Sequence, residues 1–136
     1  MAKNTSPVFA KDPKHPVTKI TATTTDKSGA TTTNMKKLYT IPTDDAKITE
    51  LQFTHEGSSS AGLFLVWITD SAGSNMTKYK VETAYSAITS STTVATASGV
   101  ISLNDLQLEA GQEIWVGATV VTSNIHVSAS VGKMAA

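Results

Sequence analysis

The sequence contains no cysteine and no arginine. Without cysteine there are no disulfide bridges, thiolate nucleophiles or cysteine-ligated metals. Nucleic-acid-binding proteins need clustered basic residues, and they favour arginine for phosphate and guanine contacts. The sequence has 11 basic residues, all of them lysine. Its 11 acidic residues balance them to a net charge of +0. The charge balance and the missing arginine therefore argue against DNA or RNA as the main partner.

Long hydrophobic runs are also missing. The longest one, from Ala61 to Ile68, is far shorter than the roughly 20 residues of a membrane helix. The first residues, Met-Ala-Lys-Asn-Thr-Ser, lack the apolar core of a signal peptide. We therefore expect no membrane partner and no export by that route.

Threonine and serine are abundant instead, with 22 Thr and 15 Ser among 136 residues. Threonine is β-branched and suits a pleated, half-exposed surface. Both residues weaken helices because they compete for backbone hydrogen bonds. A chain of this length can bury the core of one domain. The composition therefore predicts a single domain that is mostly β.

The first 16 residues differ in composition from the rest. Three of the four prolines, Pro7, Pro13 and Pro16, lie here among charged residues. Proline lacks an amide donor and resists a central strand. We therefore predict an extended N-terminal arm over residues 1–16, followed by a β domain over residues 17–136. The arm either stays a loose terminus or orders against a neighbouring subunit.

Alternating apolar and polar residues predict about eight strands at spacings near ten residues. Two β-hairpins are expected, one joining residues 62–69 to 76–85 and one joining 113–121 to 125–131. This spacing favours an antiparallel β-sandwich or jelly roll over a parallel α/β fold. The further predicted strand segments cover residues 17–25, 37–41, 46–54, 92–97 and 100–108.

Two segments have patterns that indicate special surroundings. Residues 62–69 (GLFLVWIT) are apolar on both faces, which is typical of a strand that is covered on both sides. Ile48 is out of phase with Leu51 and Phe53, which indicates a bulge or a mixed environment.

Catalytic and metal-binding patterns are weak. No phosphate-binding glycine loop, nucleophile elbow or His-Glu-x-x-His motif occurs in the sequence. Asp44 and Asp45 predict a turn rather than paired carboxylates for acid–base catalysis. We expect no enzyme activity, no cofactor and no metal.

The three histidines, His15, His55 and His126, are expected on solvated loops or exposed strand faces. His55 and Glu56 would form a metal site with His126 only if the fold joined them, and the spacing does not demand that. Trp115 lies opposite the inward-facing set of its strand. We therefore predict that Trp115 faces a partner or a glycan, whereas core packing is the expected role of most other aromatic residues.

Five short motifs follow one another along the chain: LYTIP at 38–42, AKITEL at 46–51, WITDSAGSN at 67–75, LQLEAGQEI at 106–114 and IHVSAS at 125–130. In this order they resemble small virion structural proteins of tailed bacteriophages. Those proteins share a Leu-Tyr-Thr-Val-Pro opening and a Leu-Glu-Ala-Gly-Asp-x-Ile turn. The likeness covers about residues 38–131. Thr43-Asp44-Asp45 replaces the more usual Gly/Lys-containing turn, and Gln112 stands where Asp is common.

The resemblance implies a capsid decoration (cement) protein, a head fibre or a tail component. Decoration fits best, because the chain is short and neutral and has neither a fibre repeat nor heptads. It implies the major capsid protein as partner, a homo-oligomer with a trimer favoured, synthesis in the host cytoplasm and a place on the outer capsid surface of the virion.

Under this interpretation the N-terminal arm is the capsid clasp, and Pro7, Val8, Phe9 and Pro13 are its candidate contact residues. The alternative function is a receptor- or carbohydrate-binding module of a phage head fibre or tail, with Trp115 in the binding surface. A small hydrolase is a third possibility, which the lack of a nucleophile context disfavours.

Overall fold

Strands are the regular elements of the computed structural model, which describes residues 11–42, 46–74, 76–78 and 82–133. The described part of the chain holds no helix long and apolar enough to cross a membrane. The strands are β1 (Lys11–Lys14), β2 (Val17–Ile20), β3 (Lys36–Thr40), β4 (Ala46–His55), β5 (Gly62–Thr69), β6 (Met76–Lys78), β7 (Thr83–Tyr85), β8 (Ser98–Leu108), β9 (Glu113–Ala118) and β10 (Ile125–Lys133).

These strands form two antiparallel sheets, which confirms the predicted all-β sandwich. Sheet A has the order β2, β10, β4, β8, and β1 pairs with β10 on the same side as β2. Sheet B has the order β3, β9, β5, and both β6 and β7 pair with the far side of β5. The pairing is nested: β2 pairs with β10, β3 with β9, β4 with β8, and β5 with β6 and β7.

The main core lies between the two sheets. Phe53 of sheet A stacks on Phe64 of sheet B, with ring centroids 4.5 Å apart and ring planes at 12°. Each ring is 1% exposed, and burial of this kind is the main force that stabilises the fold. The inward-facing sets of the last two strands are also buried, namely Ile114, Val116, Ala118, Ile125, Val127, Ala129 and Val131.

Strand β5 is covered on both faces, as its sequence predicts. Its inner side chains join the main core, whereas Leu65 and Trp67 form an outer cluster with Met35. The connection from β2 to β3 runs past this cluster, and the Trp67 indole Nε1 donates a hydrogen bond to the Lys27 carbonyl at 3.3 Å. Residues of this connection therefore shield part of the outer face of sheet B.

The first predicted hairpin is confirmed in the described residues. Strand β5 pairs with β6 from Trp67 to Thr69 and with β7 from Gly62 to Phe64. Residues 79–81 of the predicted second strand lie outside the described residues.

The second predicted hairpin is wrong. Residues 113–118 (β9) pair with β3 and β5 in sheet B, whereas residues 125–133 (β10) pair with β1, β2 and β4 in sheet A. Alternation shows which side chains point inward, but two strands that face each other across a core have the same alternation as two neighbours in one sheet. Residues 119–124 therefore cross between the sheets instead of forming a hairpin turn.

The predicted strand over residues 17–25 ends early, at Ile20. The chain then leaves sheet A, and the Thr24 amide donates to the Ala118 carbonyl of sheet B at 2.8 Å. Threonine-rich sequence suits a strand locally, but this tertiary contact takes the segment across the sandwich.

Residues 92–97 do not form the predicted strand. The Ser91 hydroxyl accepts hydrogen bonds from the amides of Thr93 and Val94 at 3.2 and 3.1 Å. Such local side-chain bonds compete with strand pairing.

Strand β8 begins only at Ser98 and continues to Leu108 as one strand. Its register against β4 shifts between Ile48 and Glu50, which agrees with the bulge predicted at Ile48. Asn104, on the facing stretch of β8, has a positive φ of 52°.

The LEAGQ motif forms the turn between β8 and β9. Gly111 has a φ of +93°, and its amide donates to the Ile41 carbonyl at 2.9 Å. The Gln112 side chain accepts from the Glu109 amide at 2.7 Å and donates to the Thr69 carbonyl at 3.0 Å. The motif therefore ties the end of β3 and the end of β5 to one turn.

We predict that Gly111→Ala lowers the free energy of unfolding by about 2–4 kcal/mol. A Cβ at this position would overlap the Ser71 carbonyl oxygen, and its positive φ disfavours any L side chain. The control is Gly57→Ala, where the nearest atom to a new Cβ is the Ser123 Cβ at an ordinary 3.7 Å. Urea unfolding measures both variants, and equal midpoints would contradict this account of the turn.

Candidate functional site

The predicted capsid-binding residues fall into two groups. Pro7, Val8 and Phe9 lie outside the described residues, so their role stays a prediction. Pro13 lies in β1, at the edge of sheet A, with its side chain exposed. An edge strand tolerates proline, because one side of the strand needs no amide donor.

The described part of the predicted arm therefore follows the sheet. Lys11 lies opposite Lys133 and Lys14 opposite Val131, and the Pro16 carbonyl accepts from the Ala129 amide at 3.1 Å. Lys133 also lies opposite Ala46 on its other side. Strand β1 thus lies at the edge of sheet A, and Lys11 is at one end of it.

The outer face of sheet A brings short polar side chains into rows across four strands. Ser128 lies opposite Val17 on β2 and opposite Gln52 on β4, and Gln52 lies opposite Val100 on β8. The side chains that define this face are Val17, Lys19, Glu50, Gln52, Thr54, Ser98, Val100, Ser102, His126, Ser128 and Ser130.

Charges at one end of this face pair with one another. The Glu56 carboxylate lies 3.0 Å from His126 Nε2 and 3.6 Å from Lys19 Nζ, and all three side chains are about half exposed. The hydrogen bond with His126, followed by the charge of Lys19, lowers the pKa of Glu56 below its ordinary value. The three groups therefore leave little net charge at this end.

A shallow trough runs along β10 on the same face. Its larger part, about 480 Å³, is lined by Val17, Lys19, Gln52, Thr54, His126 and Ser128 among others. A smaller part of about 250 Å³ continues towards His15, Glu50 and Ser130 and shares Gln52 and Ser128 with the first. The small serine side chains of β10 form the floor between longer side chains on either side.

Trp115 lies on the outer face of sheet B, opposite the inward-facing set of β9, as predicted. It is half-buried and packs against the cluster of Met35, Leu65 and Trp67. Its indole Nε1 donates to the Glu113 carboxylate at 3.0 Å. The proposed role of Trp115 towards a partner or glycan stays a prediction.

The expectation for His55 is wrong, because this side chain is only 2% exposed. Strand β4 continues to residue 55, and alternation places it on the inner side with Leu51 and Phe53. The imidazole lies 4.5 Å from the Tyr85 ring, and its Nδ1 donates to the Ala97 carbonyl at 3.1 Å. Nε2 has no hydrogen-bond partner among the residues that the structure describes. His55 therefore packs in the core.

The fold does not assemble the metal site considered from the sequence. Glu56 and His126 meet on the outer side of sheet A, whereas His55 points inward. Within the described ranges no three potential metal-ligating side chains cluster. Asp44 and Asp45 lie outside the described residues.

Sequence reasoning missed the outer face of sheet A as a candidate surface. The available signal was the set of outward positions on β2, β4, β8 and β10, most of which are serine, threonine, glutamine or valine, with Lys19, Glu50 and His126 as the exceptions. The four strands are far apart in the chain, so these positions can be recognised as one surface only when the order of the strands in the sheet is known.

Comparisons of the chain with protein families, with curated proteins and with solved structures found no match.

We predict that His126→Ala raises the pKa of Glu56 towards its ordinary value of 4.5. A lowered pKa in the folded state means that ionised Glu56 favours folding above about pH 4.5, and that this contribution is lost as the pH falls through the lowered value. Carboxyl NMR titration of Glu56 measures the change. His15→Ala is the control, and the same Glu56 titration in His126→Ala as in the parent protein would show that the hydrogen bond is not the cause.

Proposed function

We propose that this protein is a capsid decoration (cement) protein that binds the outer surface of an assembled phage capsid and stabilises it. Its location is then the virion, after synthesis in the host cytoplasm, and its partner is the major capsid protein. The five motifs that resemble tailed-phage virion proteins support this proposal. The two antiparallel sheets are consistent with it, because double-sheet β folds occur among viral capsid domains.

A fold alone does not decide a function. The observation that supports the proposal most directly is the pairing of the N-terminal strand β1 with β10. Strand β1 adds to the edge of sheet A by antiparallel pairing, and ten further residues precede it. Ten extended residues reach up to about 33 Å. This length lets Pro7, Val8 and Phe9 contact a neighbouring molecule while β1 stays paired with β10.

Extended segments bind by adding to a strand edge or by placing alternate side chains in pockets. In this mechanism Val8 and Phe9 are the apolar anchors, and the prolines limit the freedom that the arm loses on binding. The loss of chain entropy keeps the affinity of one arm modest. A trimer would present three arms at once and raise the overall affinity through effective concentration.

Stabilisation of the capsid follows from mass action. A protein that binds the assembled shell but not its separated subunits lowers the free energy of the assembled state and leaves that of the separated subunits unchanged. At a free concentration 100 times the dissociation constant, each occupied site contributes about 2.7 kcal/mol. Many such sites per particle would resist opening of the shell without any bond-making chemistry.

The geometry favours decoration over the glycan-binding alternative. The Trp115 indole already bonds to Glu113 and packs against other side chains of sheet B. A sugar platform needs an open aromatic face, and most of Trp115 is covered by its own chain. Glycan binding that is lost in Trp115→Ala would support the alternative.

The proposed function is tested on purified particles of the virus whose genome encodes this chain. Mass spectrometry should detect the polypeptide in many copies per particle, and labelled antibody should place it on the head. Particles without the polypeptide, or label confined to the tail, would overturn the proposal.

We predict that deletion of residues 1–10 abolishes binding to capsids without changing the melting temperature. The cut leaves β1 in place, whereas removal of residues 1–16 would also remove the pairing of β1 with β10. Co-sedimentation with shells stripped of this protein measures binding. Lys3→Ala is the control that retains the apolar anchors. Full binding by the deletion variant would reject the clasp.

A further inference from the structure

The two outer faces of the sandwich differ in how the chain covers them. On sheet B, Met35 and the connection from β2 to β3 pack over Leu65 and Trp67. On sheet A, the outward side chains of Gln52, Thr54 and Val100 are exposed, and no described residue packs over them. The outer face of sheet A is therefore more exposed to solvent than the outer face of sheet B in the described part of the chain.

Two exposed valines lie at opposite ends of one row on this face. Val17 is 72% exposed and Val100 is 58% exposed, and Ser128 and Gln52 lie between them. Three strand spacings of about 4.8 Å separate the valines by roughly 14 Å. The third large hydrophobic residue that is exposed in the described chain, Val94, lies away from the sheets in the segment before β8.

The face carries little net charge. Glu56 is paired with His126 and Lys19. The Glu50 carboxylate keeps its charge, although it accepts a hydrogen bond from Gln52 Nε2 at 2.9 Å. A nucleic acid or an anionic membrane would need an excess of basic groups. No Phe, Tyr or Trp side chain stands among the residues that define this face, so it lacks the large aromatic platform on which a sugar ring stacks.

The trough along β10 gives this face a shape that suits an extended segment. Its serine floor runs between Val17 and Lys19 on one side and Gln52 on the other. Side-chain hydroxyls and an amide can bond to a peptide backbone. Val17 offers an apolar contact at one rim of the trough, and Val100 offers another on β8, one strand beyond Gln52. A partner here is an uncharged loop or extended strand of a protein surface.

We propose that the outer face of sheet A is the surface that docks onto the capsid shell, and that its trough takes an uncharged, extended segment of the shell protein. This inference rests on the proposed function. Four strands and five residues of length give a face of about 19 by 17 Å, or roughly 320 Å². A stable interface needs about 800 Å² per partner. The face therefore supplies only part of such an interface, and the contact with the shell must extend beyond it.

The experiment compares charged substitutions on and off this face. Val17→Lys and Val100→Lys place a charge at the two ends of the row across this face, and Ser128→Arg fills the floor of the trough. Val94→Lys and Thr92→Arg are the matched controls, at exposed positions away from sheet A. Lysine is tolerated at sheet edges, and melting temperatures show that each variant folds.

The measurement is binding of each folded variant to capsid shells stripped of this protein. We expect at least a tenfold loss of affinity for the three face variants and less than a twofold change for the two controls. If the face variants bind as well as the parent protein, the docking surface lies elsewhere although decoration stands. If the parent protein itself does not bind shells, the proposed function fails. If a face variant dimerises less than the parent protein but binds shells equally, the face is a contact between copies of this chain, and the inference is wrong.

Discussion

The register of β10 is the constraint on which both sides of sheet A depend. Val127 and Ala129 point into the core, while Ser128 points out between Val17 and Gln52. A slip of one residue would expose the apolar set and bury the serines. Burial of the apolar set therefore fixes the outer rows as firmly as it fixes the core. The shift in pairing at Ser130 and Val131 lets β10 stay in phase with the bulged β4 along its whole length.

The alternation of apolar and polar residues predicted which side chains are buried. It did not predict which strands pair with each other. The inward sets of β9 and β10 were predictable because burial follows a period of two, yet the two strands lie in different sheets. Strand pairing in this fold is non-local, and a pattern within one segment does not contain it. His55 was misjudged for a related reason. Its polarity suggested solvent, but its place in β4 puts it inside with one nitrogen bonded to the Ala97 carbonyl.

The phage-like motifs have structural roles in this fold. Gly111 occupies a conformation that other residues avoid, and Gln112 bonds to the amide of Glu109 and to the carbonyl of Thr69. An aspartate at position 112 could accept the first bond but could not donate the second. The departure from the more usual residue is thus matched by an additional contact with the end of β5. Motifs of this kind specify turns of the backbone. The resemblance therefore predicts the fold of the protein more directly than its function.

In the proposed function, the protein stays dispersed until it meets the capsid shell. Both the edge and the outer face of sheet A limit association before that point. An open strand edge invites pairing with any other chain, and the prolines at positions 13 and 16 reduce that risk beside β10. The outer face carries only two separated valines, too little apolar area to associate on its own. In the proposed function, the small face and the arm would each bind weakly, and binding of one would raise the local concentration of the other. In the proposed function, this coupling explains how a chain of 136 residues can recognise an assembled shell while ignoring its separated subunits, since only the shell presents both contacts at a fixed distance.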